Sequence, residues 1–380
     1  MKHDWKYIKL GDIISPAKVV RNGANKKFPV LSITMRDGIV FQSSRFKKSI
    51  ASVDTSDYKV VYNGQLVIAF PIDEGLIYTQ DIVDAGIMSP AYNVWNVDFL
   101  EIDRKFLVLY LHCPFSMAYY KSKLRGTTMR RRSMPKEDLL NMPLPVPSFS
   151  VQQSVVSELD KINELIRLKK EQLKDYDNLA QSIFYEMFGD PVVNEKGWEV
   201  KKLGDVCKFT QGTQVPIEEQ HLSKENGLVQ FLRIIDFTQG KDAPRFVKCS
   251  NDKYILHERE IAIVRYGTPG FVCYGKIGAI ANNLFKITPN QKDMFEFEFL
   301  VHWLNTEAFQ SAVKSKQYGA ALQAIKFSTI QGINIIIPSL TVQRSFATRI
   351  SQIDKQKKYI EESIKDLETL LASRMQYWFD

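Results

Sequence analysis

The chain has 380 residues, and its 51 Lys and Arg against 43 Asp and Glu give a formal net charge of +8. Its 44% hydrophobic residues, with only 15 Pro and 19 Gly, exclude a disordered or collagen-like protein. The four cysteines are far apart and form no CxxC pair, which excludes a zinc ribbon and favours a reducing compartment. The first residues lack an apolar signal core, and no apolar stretch is long enough for a membrane span. We therefore expect a cytoplasmic protein that does not contact a membrane.

The sequence contains an internal repeat. WKYIKLGD at 5–12 returns as WEVKKLGD at 198–205, and PSFSVQ at 147–152 returns as PSLTVQ at 338–343. Such self-similarity indicates the duplication of one structural unit. We predict an α+β fold with pseudo-two-fold internal duplication, in which two mixed α/β domains are separated by two long antiparallel coiled-coil helices. The predicted parts are a first mixed domain at 1–149, a central helix at 150–190, a second mixed domain at 191–340 and a C-terminal helix at 341–380.

The two helices are predicted from apolar residues that alternate in steps of four and three, which is the period of a coiled-coil seam. Ser150 and Gln153 have the spacing of a capping box at the start of the first helix. Each helix spans about 39 residues, or roughly 58 Å. Polar residues interrupt the seam at Lys169, Lys357 and Arg374. The predicted seam residues are Val155, Leu159, Ile162, Ile166, Leu173, Tyr176, Ala180, Ile183 and Met187 in the first helix, and Phe346, Ile350, Ile353, Ile360, Ile364, Leu367, Leu371 and Trp378 in the second.

An amphipathic helix of this length needs a partner for its seam. Two helices of equal period in one chain favour antiparallel pairing, which would place the mixed domains at opposite ends of a rod. Two alternatives remain open, because each helix could instead pack on its own domain or be covered by a partner protein.

The mixed domains are predicted from short β-like runs that Gly, Asp and Asn punctuate. A short helix near 104–120, repeated near 297–314, interrupts these strands. The predicted strands include 28–34, 60–62, 66–70, 231–235, 261–265 and 333–337.

The positive charge lies on the mixed domains. Their net charges are +7 for 1–149 and +3 for 191–340, whereas the helices at 150–190 and 341–380 carry −3 and +1. Two cationic domains joined by nearly neutral helices are typical of two separate contacts with one polyanion.

Clusters of basic and polar residues predict DNA-binding side chains. Arg hydrogen-bonds to phosphates and to the edge of guanine, Ser and Thr hydrogen-bond to phosphates, and Gln hydrogen-bonds to the edge of adenine. A solvated basic loop is the alternative for each cluster. The candidates in the first domain are Arg36, Arg45, Lys47, Lys48, Arg125, Thr127, Thr128, Arg130, Arg131 and Arg132. Those in the second domain are Arg233, Arg265, Tyr266, Lys314, Lys316, Gln317, Gln323 and Lys326.

No catalytic motif emerges from the sequence. There is no P-loop, no GxGxxG after a strand, no HExxH and no GxSxG. Asp98, Asp103 and Lys105 loosely resemble a nuclease carboxylate set, but the second copy has Glu296 and Glu298 without a lysine. A helix N-terminus that favours acidic residues explains both copies better. We expect no catalytic residue and no metal site.

Further motifs occur in a fixed order along the chain. They are the two LGD starts, GIMSPAY at 86–92, FYEMFGDP at 184–191, FLRIID at 231–236, IAIVRYGTPG at 261–270 and Asn282-Asn283. The second-copy residues Arg233 and Arg265 correspond to Ser32 and Phe70 in the first copy, so only part of the pattern is duplicated. With these motifs in this order, the chain resembles the specificity subunits of type I restriction–modification systems over nearly its whole length.

The resemblance implies a non-catalytic subunit whose two target recognition domains each bind one half of an asymmetric bipartite site on double-stranded DNA. The helices would set the spacer and dock two modification (methyltransferase) subunits, and restriction subunits would complete the complex. This chain would bind no cofactor. S-adenosylmethionine would belong to the modification subunits, and ATP and Mg²⁺ to the restriction subunits.

Two other functions remain open at this point. One is a specificity subunit that serves a fused nuclease–methyltransferase. The other is a coiled-coil scaffold that binds only proteins and predicts no sequence-selective DNA binding.

Overall fold

The computed structural model describes residues 4–23, 28–35, 37–45, 54–125, 133–238, 242–291, 293–315 and 324–379. The chain forms two compact units, 1–170 with 362–380 and 171–361. Each unit thus combines a mixed domain with part of both long helices. The four-part division predicted from the sequence groups the chain differently and stays a prediction. None of the described helices combines the length and the apolar character that a membrane span requires.

In the first half of the chain, the described residues form short strands, four short α-helices and one long α-helix. Its strands are β1 (Lys6–Lys9), β2 (Ile14–Pro16), β3 (Leu31–Thr34), β4 (Gly38–Phe41), β5 (Lys59–Tyr62), β6 (Leu66–Ile68), β7 (Ile77–Thr79), β8 (Ala85–Met88), β9 (Asn93–Val97) and β10 (Pro143–Val146). Its helices are α1 (Gln42–Arg45), α2 (Arg104–Leu111), α3 (Pro114–Lys123), α4 (Lys136–Leu140) and α5 (Phe149–Phe188).

The second half follows nearly the same order. Its strands are β11 (Glu199–Lys202), β12 (Cys207–Gln211), β13 (Leu228–Leu232), β14 (Arg245–Lys248), β15 (Ile255–Leu256), β16 (Ile261–Val264), β17 (Val272–Cys273), β18 (Gly278–Ile280), β19 (Leu284–Pro289) and β20 (Asn334–Ile337). Its helices are α6 (Leu203–Val206), α7 (Ile234–Thr238), α8 (Phe297–Leu304), α9 (Glu307–Ser315), α10 (Phe327–Gln331) and α11 (Leu340–Phe379).

The sheets confirm the duplication. The first domain has an antiparallel sheet of order β2-β9-β6-β7, and the second has the same sheet as β12-β19-β16-β17. In each domain the first strand pairs with the last, as β1 with β10 and β11 with β20. The parallel pairing of β13 with β18 corresponds to a parallel bridge between Val30 and Ile87. The α+β class expected from the sequence is therefore confirmed.

Three local predictions were wrong. The predicted helix near 104–120 is two helices, because the chain breaks before Pro114 and begins α3 there, and its copy breaks at Thr306. Residues 234–235 were predicted as strand but start α7. Its first turn closes where Asp236 accepts hydrogen bonds from the backbone and side chain of Arg233.

The long helices pair within each unit and also pack on the mixed domain. In the first unit, Glu158 of α5 is salt-bridged to Arg374 of α11. In the second unit, Asp177 of α5 is 2.6 Å from Lys357 of α11. The polar interruptions at Lys357 and Arg374 are thus interhelical ion pairs.

The hydrophobic cores show that the long helices also pack on the mixed domains, in addition to pairing with each other. In the first unit, Val155 and Leu159 of α5 and Phe379 of α11 join the domain core beside Phe106. In the second unit the rings of Phe184, Phe188, Phe299 and Phe346 form one cluster, with centroids 4.8–5.9 Å apart. Phe184 and Phe188 lie outside the predicted seam but are almost fully buried.

A buried glutamine fastens each long helix to its domain. The side-chain oxygen of Gln152 accepts from the backbone N–H of Asp103 at 2.6 Å, and its nitrogen donates to the carbonyls of Glu101 and Pro147, both at 2.9 Å. In the second copy Gln343 makes the same three types of bond, to Glu296, Met294 and Pro338. Both side chains are completely buried.

The predicted capping box at Ser150 and Gln153 was misplaced. The first turn of α5 begins at Ser148, whose carbonyl accepts from the N–H groups of Val151 and Gln152. Gln153 is exposed. The repeated glutamine one position earlier therefore makes the contacts that define this helix start.

We expect Gln152→Ala to lower the free energy of unfolding by about 2–4 kcal/mol, because it removes the partner of three buried or partly buried backbone groups. The control is Gln153→Ala, on the same turn but exposed, which should change it by no more than about 0.5 kcal/mol. Equilibrium urea unfolding measures both. Equal effects of the two variants would contradict the role given to Gln152.

Candidate nucleic-acid interface

Three chain segments of the second domain meet at one edge of its antiparallel sheet. They are the segment after β12, the segment after β16 and the turn between β18 and β19. The N–H of Gly212 donates to Leu284 at 3.0 Å, and that of Arg265 donates to Asn283 at 2.8 Å. A Cβ atom at Gly212 would lie 2.2 Å from the carbonyl oxygen of Ala281, so only glycine allows this approach.

The side chains on these segments form a polar surface. The amide of Gln211 donates to the carbonyl of Asn282 at 3.0 Å, and that of Asn282 donates to the side-chain oxygen of Gln214 at 3.3 Å. The hydroxyl of Tyr266 donates to the side-chain oxygen of Asn282 at 3.4 Å. We call this the strand-end cluster, and its members are Gln211, Gln214, Arg265, Tyr266, Asn282 and Asn283.

Two members of the strand-end cluster have polar atoms that lack partners. Nε of Arg265 and Oδ1 of Asn283 are buried and make no hydrogen bond within the described residues. The guanidinium of Arg265 lies over the ring of Phe285, 5.9 Å from its centroid. Buried polar atoms without partners are rare and costly in proteins, so these two atoms mark the cluster as a place where a polar ligand could bind.

The sequence predicted a basic stretch at 314–326. Its described C-terminal residues, from Ala324 onward, contact the strand-end cluster. The N–H of Ile325 donates to the carbonyl of Arg265 at 2.9 Å, and Ala324 pairs with Tyr266. Lys326 is the N-cap residue of α10, and Lys314 is exposed in the last turn of α9. Lys316, Gln317 and Gln323 lie outside the described residues.

Arg233 was predicted to bind DNA, but its described contacts are all internal. Its side chain is 19% exposed and pairs with the buried carboxylate of Asp236 at 3.1 Å and with Asp242 at 3.4 Å. It also donates to the carbonyl of Ala243 at 3.1 Å. The guanidinium of Arg233 therefore stabilises the first turn of α7. A contact between Arg233 and DNA stays a prediction.

The first domain has a different surface at the equivalent edge. In the first domain the N–H of Ala69 donates to the carbonyl of Leu76, and in the second the N–H of Val264 donates to the carbonyl of Phe271. Ala69 and Val264 therefore occupy equivalent positions. The residues that follow them, Phe70 and Arg265, are equivalent as well. By the paired strands, Asn93 occupies the position of Phe285, and Trp95 that of Ile287.

A small cavity of about 150 Å³ lies at this edge of the first domain. Phe70, Asn93, Trp95 and Lys136 are among its lining residues, and the Lys136 ammonium sits 5.6 Å from the Trp95 ring centroid. At this edge the first domain thus presents the ring of Phe70 where the second presents the guanidinium of Arg265, beside an amide and an ammonium group of its own.

Among the DNA-binding candidates of the first domain, the structure describes Arg125 and the backbone of Arg45. Arg125 lies at the base of the predicted basic loop, where its backbone pairs with Ser133 in both directions at 3.0 and 3.1 Å. Its side chain is 76% exposed and lies 3.4 Å from Asp138. Arg45 ends α1, and its side chain is not described. The candidates outside the described residues are Arg36, Lys47, Lys48, Thr127, Thr128, Arg130, Arg131 and Arg132.

The sequence search missed Gln211 and Gln214, and it used Asn282 and Asn283 only for the resemblance. Its main criterion was clustered positive charge, and these four side chains carry none. The sequence feature that could have indicated them is the run of small and amide residues QGTQ at 211–214, which begins at the last residue of a strand.

The acidic residues considered for catalysis have structural contacts. Asp103 caps α2 by accepting from the N–H groups of Lys105 and Phe106. Its counterpart Glu296 pairs with Arg344 at 3.0 Å. Among the described residues, no three His, Cys, Asp or Glu side chains are grouped as a metal site requires.

We expect Arg233→Met to lower the free energy of unfolding by about 2–4 kcal/mol, because the buried carboxylate of Asp236 loses its ion-pair partner. The double variant Arg233→Met with Asp236→Asn should recover part of this loss. Arg245→Met, in the same unit and without an ion pair among the described residues, should change it by no more than about 0.5 kcal/mol. Chemical unfolding of the four proteins tests this, and an Arg233→Met effect no larger than the control would contradict it.

Residues 195–369 match the family model of the type I restriction modification DNA specificity domain. The chain is 22% identical to the type I restriction enzyme MjaVIII specificity subunit of Methanocaldococcus jannaschii, over 97% of this chain and 92% of that protein. Among solved structures, it is similar to a chain from a type I restriction–modification system whose complex assembly was analysed. That match has a TM-score of 0.59 and 20% identity, and it covers 99% and 97% of the two chains.

A second similar structure is the specificity subunit of a type I system from M. genitalium, with a TM-score of 0.50 and 13% identity over 100% and 97% of the chains. At these identities the structures show a shared fold. Together with these matches, the comparisons show that residues 195–369 are similar to the type I restriction modification DNA specificity domain and that the whole chain is similar to specificity subunits of type I restriction–modification systems.

Proposed function

We propose that this chain is the non-catalytic subunit that selects the DNA site of a type I restriction–modification complex. Each mixed domain would bind one half of a bipartite site on double-stranded DNA. The observation that carries the proposal is the strand-end cluster, a polar surface with two unpaired buried atoms at a sheet edge of a cationic domain.

The cluster has the chemistry of a base-reading surface. Side-chain amides such as Gln214 and Asn282 present a donor and an acceptor together, which matches the edge of adenine, and Arg265 matches the edge of guanine. Each good bidentate pair discriminates against a wrong base by about 1–3 kcal/mol. The surrounding Lys and Arg side chains supply salt-dependent affinity for phosphates without regard to sequence.

The difference between the two domains predicts an asymmetric target. Arg265 of the second domain is replaced by Phe70 in the first, and an aromatic side chain suits apolar contact with the methyl group of thymine. Two domains with one scaffold and different surface chemistry should select different half-sites.

The long helices are proposed to set the spacing between the half-sites and to dock two modification subunits, with restriction subunits completing the assembly in the cytoplasm. We propose that S-adenosylmethionine belongs to the modification subunits, that ATP and Mg²⁺ belong to the restriction subunits, and that this chain carries none of them.

The family match disfavours the coiled-coil scaffold that binds only proteins. It also gives no support to a fused nuclease–methyltransferase as partner, since the family match is to a type I specificity domain.

The strand-end cluster is tested by Gln214→Ala and Arg265→Ala in the chain co-expressed with its methyltransferase subunit. We expect the methylated motif to become degenerate at one or two positions of a single half-site, because each side chain would contact bases of one half only. Methylome sequencing measures this. The matched control is Gln291→Ala, an exposed glutamine outside the cluster, which should leave the motif unchanged.

An unchanged motif in both variants, with methylation intact, would show that the cluster does not read bases. Changes in both half-sites would contradict the assignment of one half-site to each domain.

A further inference from the structure

A cavity of about 660 Å³ lies in the second unit, away from the strand-end cluster. Its lining comes from α5, α7, α8, α11, residues 271–274 around β17 and residues 305–306 after α8, and every lining residue belongs to this one unit. The volume lies within the range of small-molecule binding sites, about 300–1,000 Å³. DNA selection as proposed above leaves this cavity without a role.

The charges in the cavity are unbalanced. Three carboxylates line it, and two of them are neutralised: Asp177 by Lys357 at 2.6 Å, and Glu298 by Arg259 through two bonds of 3.0 Å. The third, Asp354, makes no hydrogen bond or ion pair with any described residue. Asp354 is exposed at the cavity. Partial burial, together with the nearby carboxylates of Glu298, Asp177 and Glu361, outweighs the attraction of Lys357 and raises the pKa of Asp354 above its ordinary value. A cation placed beside Asp354 would have an accessible carboxylate as its counter-ion.

The walls of the cavity suit an organic cation. Five aromatic rings line it, from Phe184, Phe237, Phe271, Tyr274 and Phe297, and the last two are in edge contact at 5.9 Å. Aromatic faces attract ammonium and guanidinium groups and pack against their apolar stems. Burial lowers the pKa of His302 to about 4, so this lining imidazole is neutral at pH 7 and adds no positive charge.

The internal duplication shows that the scaffold does not need these polar groups. When α5 and α11 are aligned on Gln152 and Gln343, Asp354 corresponds to Asn163 and Lys357 to Ile166. When α2 and α8 are aligned on their N-cap residues, His302 corresponds to Leu109. The ion pair, the unpaired carboxylate and the histidine are thus features of the second unit alone.

We propose that this cavity binds an organic cation, with Asp354 as counter-ion to its ammonium or guanidinium group and the aromatic rings enclosing its stem. Such a group occurs in free polyamines and in the Lys or Arg side chain of a protein segment. The proposal does not depend on DNA recognition.

The test is isothermal titration of the full-length chain, purified free of nucleic acid, with three probes. Agmatine represents a free cation, N-acetyl-arginine methylamide represents a protein side chain, and butylurea is a neutral analogue. We expect agmatine to bind at least tenfold more tightly than butylurea. Asp354→Asn should weaken agmatine binding at least tenfold, since a charge-assisted bond is lost.

Two features keep the test interpretable. Asp354→Asn introduces the residue that the first copy has at this position, and thermal unfolding verifies that the variant folds. Asp175→Asn removes the same charge from an exposed site on α5 outside the cavity and should leave binding unchanged.

The source of the cation follows from the probes. Binding of agmatine alone would indicate a free polyamine, and equal binding of the blocked arginine would indicate a side chain from a partner. Equal affinity for agmatine and butylurea, no binding of any probe at millimolar concentration, or undiminished binding by Asp354→Asn would overturn the proposal.

Discussion

The arrangement of each unit depends on one buried side chain at the start of a long helix. Gln152 and Gln343 each bond three backbone groups that have no other partner among the described residues. Because a buried amide without partners is costly, these bonds hold the start of each helix against its domain. A helix is stiff over many turns, so its first turn also sets the direction of the rest. The position of the domain relative to its helix is therefore built into the chain.

Duplication kept this attachment and changed the surfaces around it. The sheet order, the strand pairings and the buried glutamine are the same in both copies. The sheet edge is not, since Phe70 and Asn93 stand where Arg265 and Phe285 stand in the second copy. The two copies therefore place different side chains on a shared backbone frame. This separation of frame from surface is what a subunit with two independent specificities requires.

The long helices were predictable because their apolar period persists over many turns, and the seam positions Val155, Ile350 and Ile360 are buried as expected. The capping box was misplaced because Gln152 acts through tertiary contacts with a segment some fifty positions earlier, which no local spacing reveals. The strand predicted through residue 235 ends early because the ion pair of Arg233 and Asp236 favours a helical turn.

The candidate site was less predictable than the fold. A search for positive charge led to loops that mostly lie outside the described residues, and to Arg233, which is bound internally. The strand-end cluster joins amides that are about 70 positions apart in the sequence, such as Gln211 and Asn282. Only the pairing of β12 and β16 with β19 brings them together. Sequence spacing could not reveal that proximity.

The central claim is that two domains select two half-sites at a distance set by the helices. It is tested most directly by deleting one matched seven-residue block from both α5 and α11 and sequencing the methylome of cells that carry the assembled methyltransferase. Seven helical residues span about 10 Å, so the spacer of the methylated motif should shorten by about three base pairs while both half-sites keep their sequence. Methylation with an unchanged spacer, or with altered half-sites, would contradict the account.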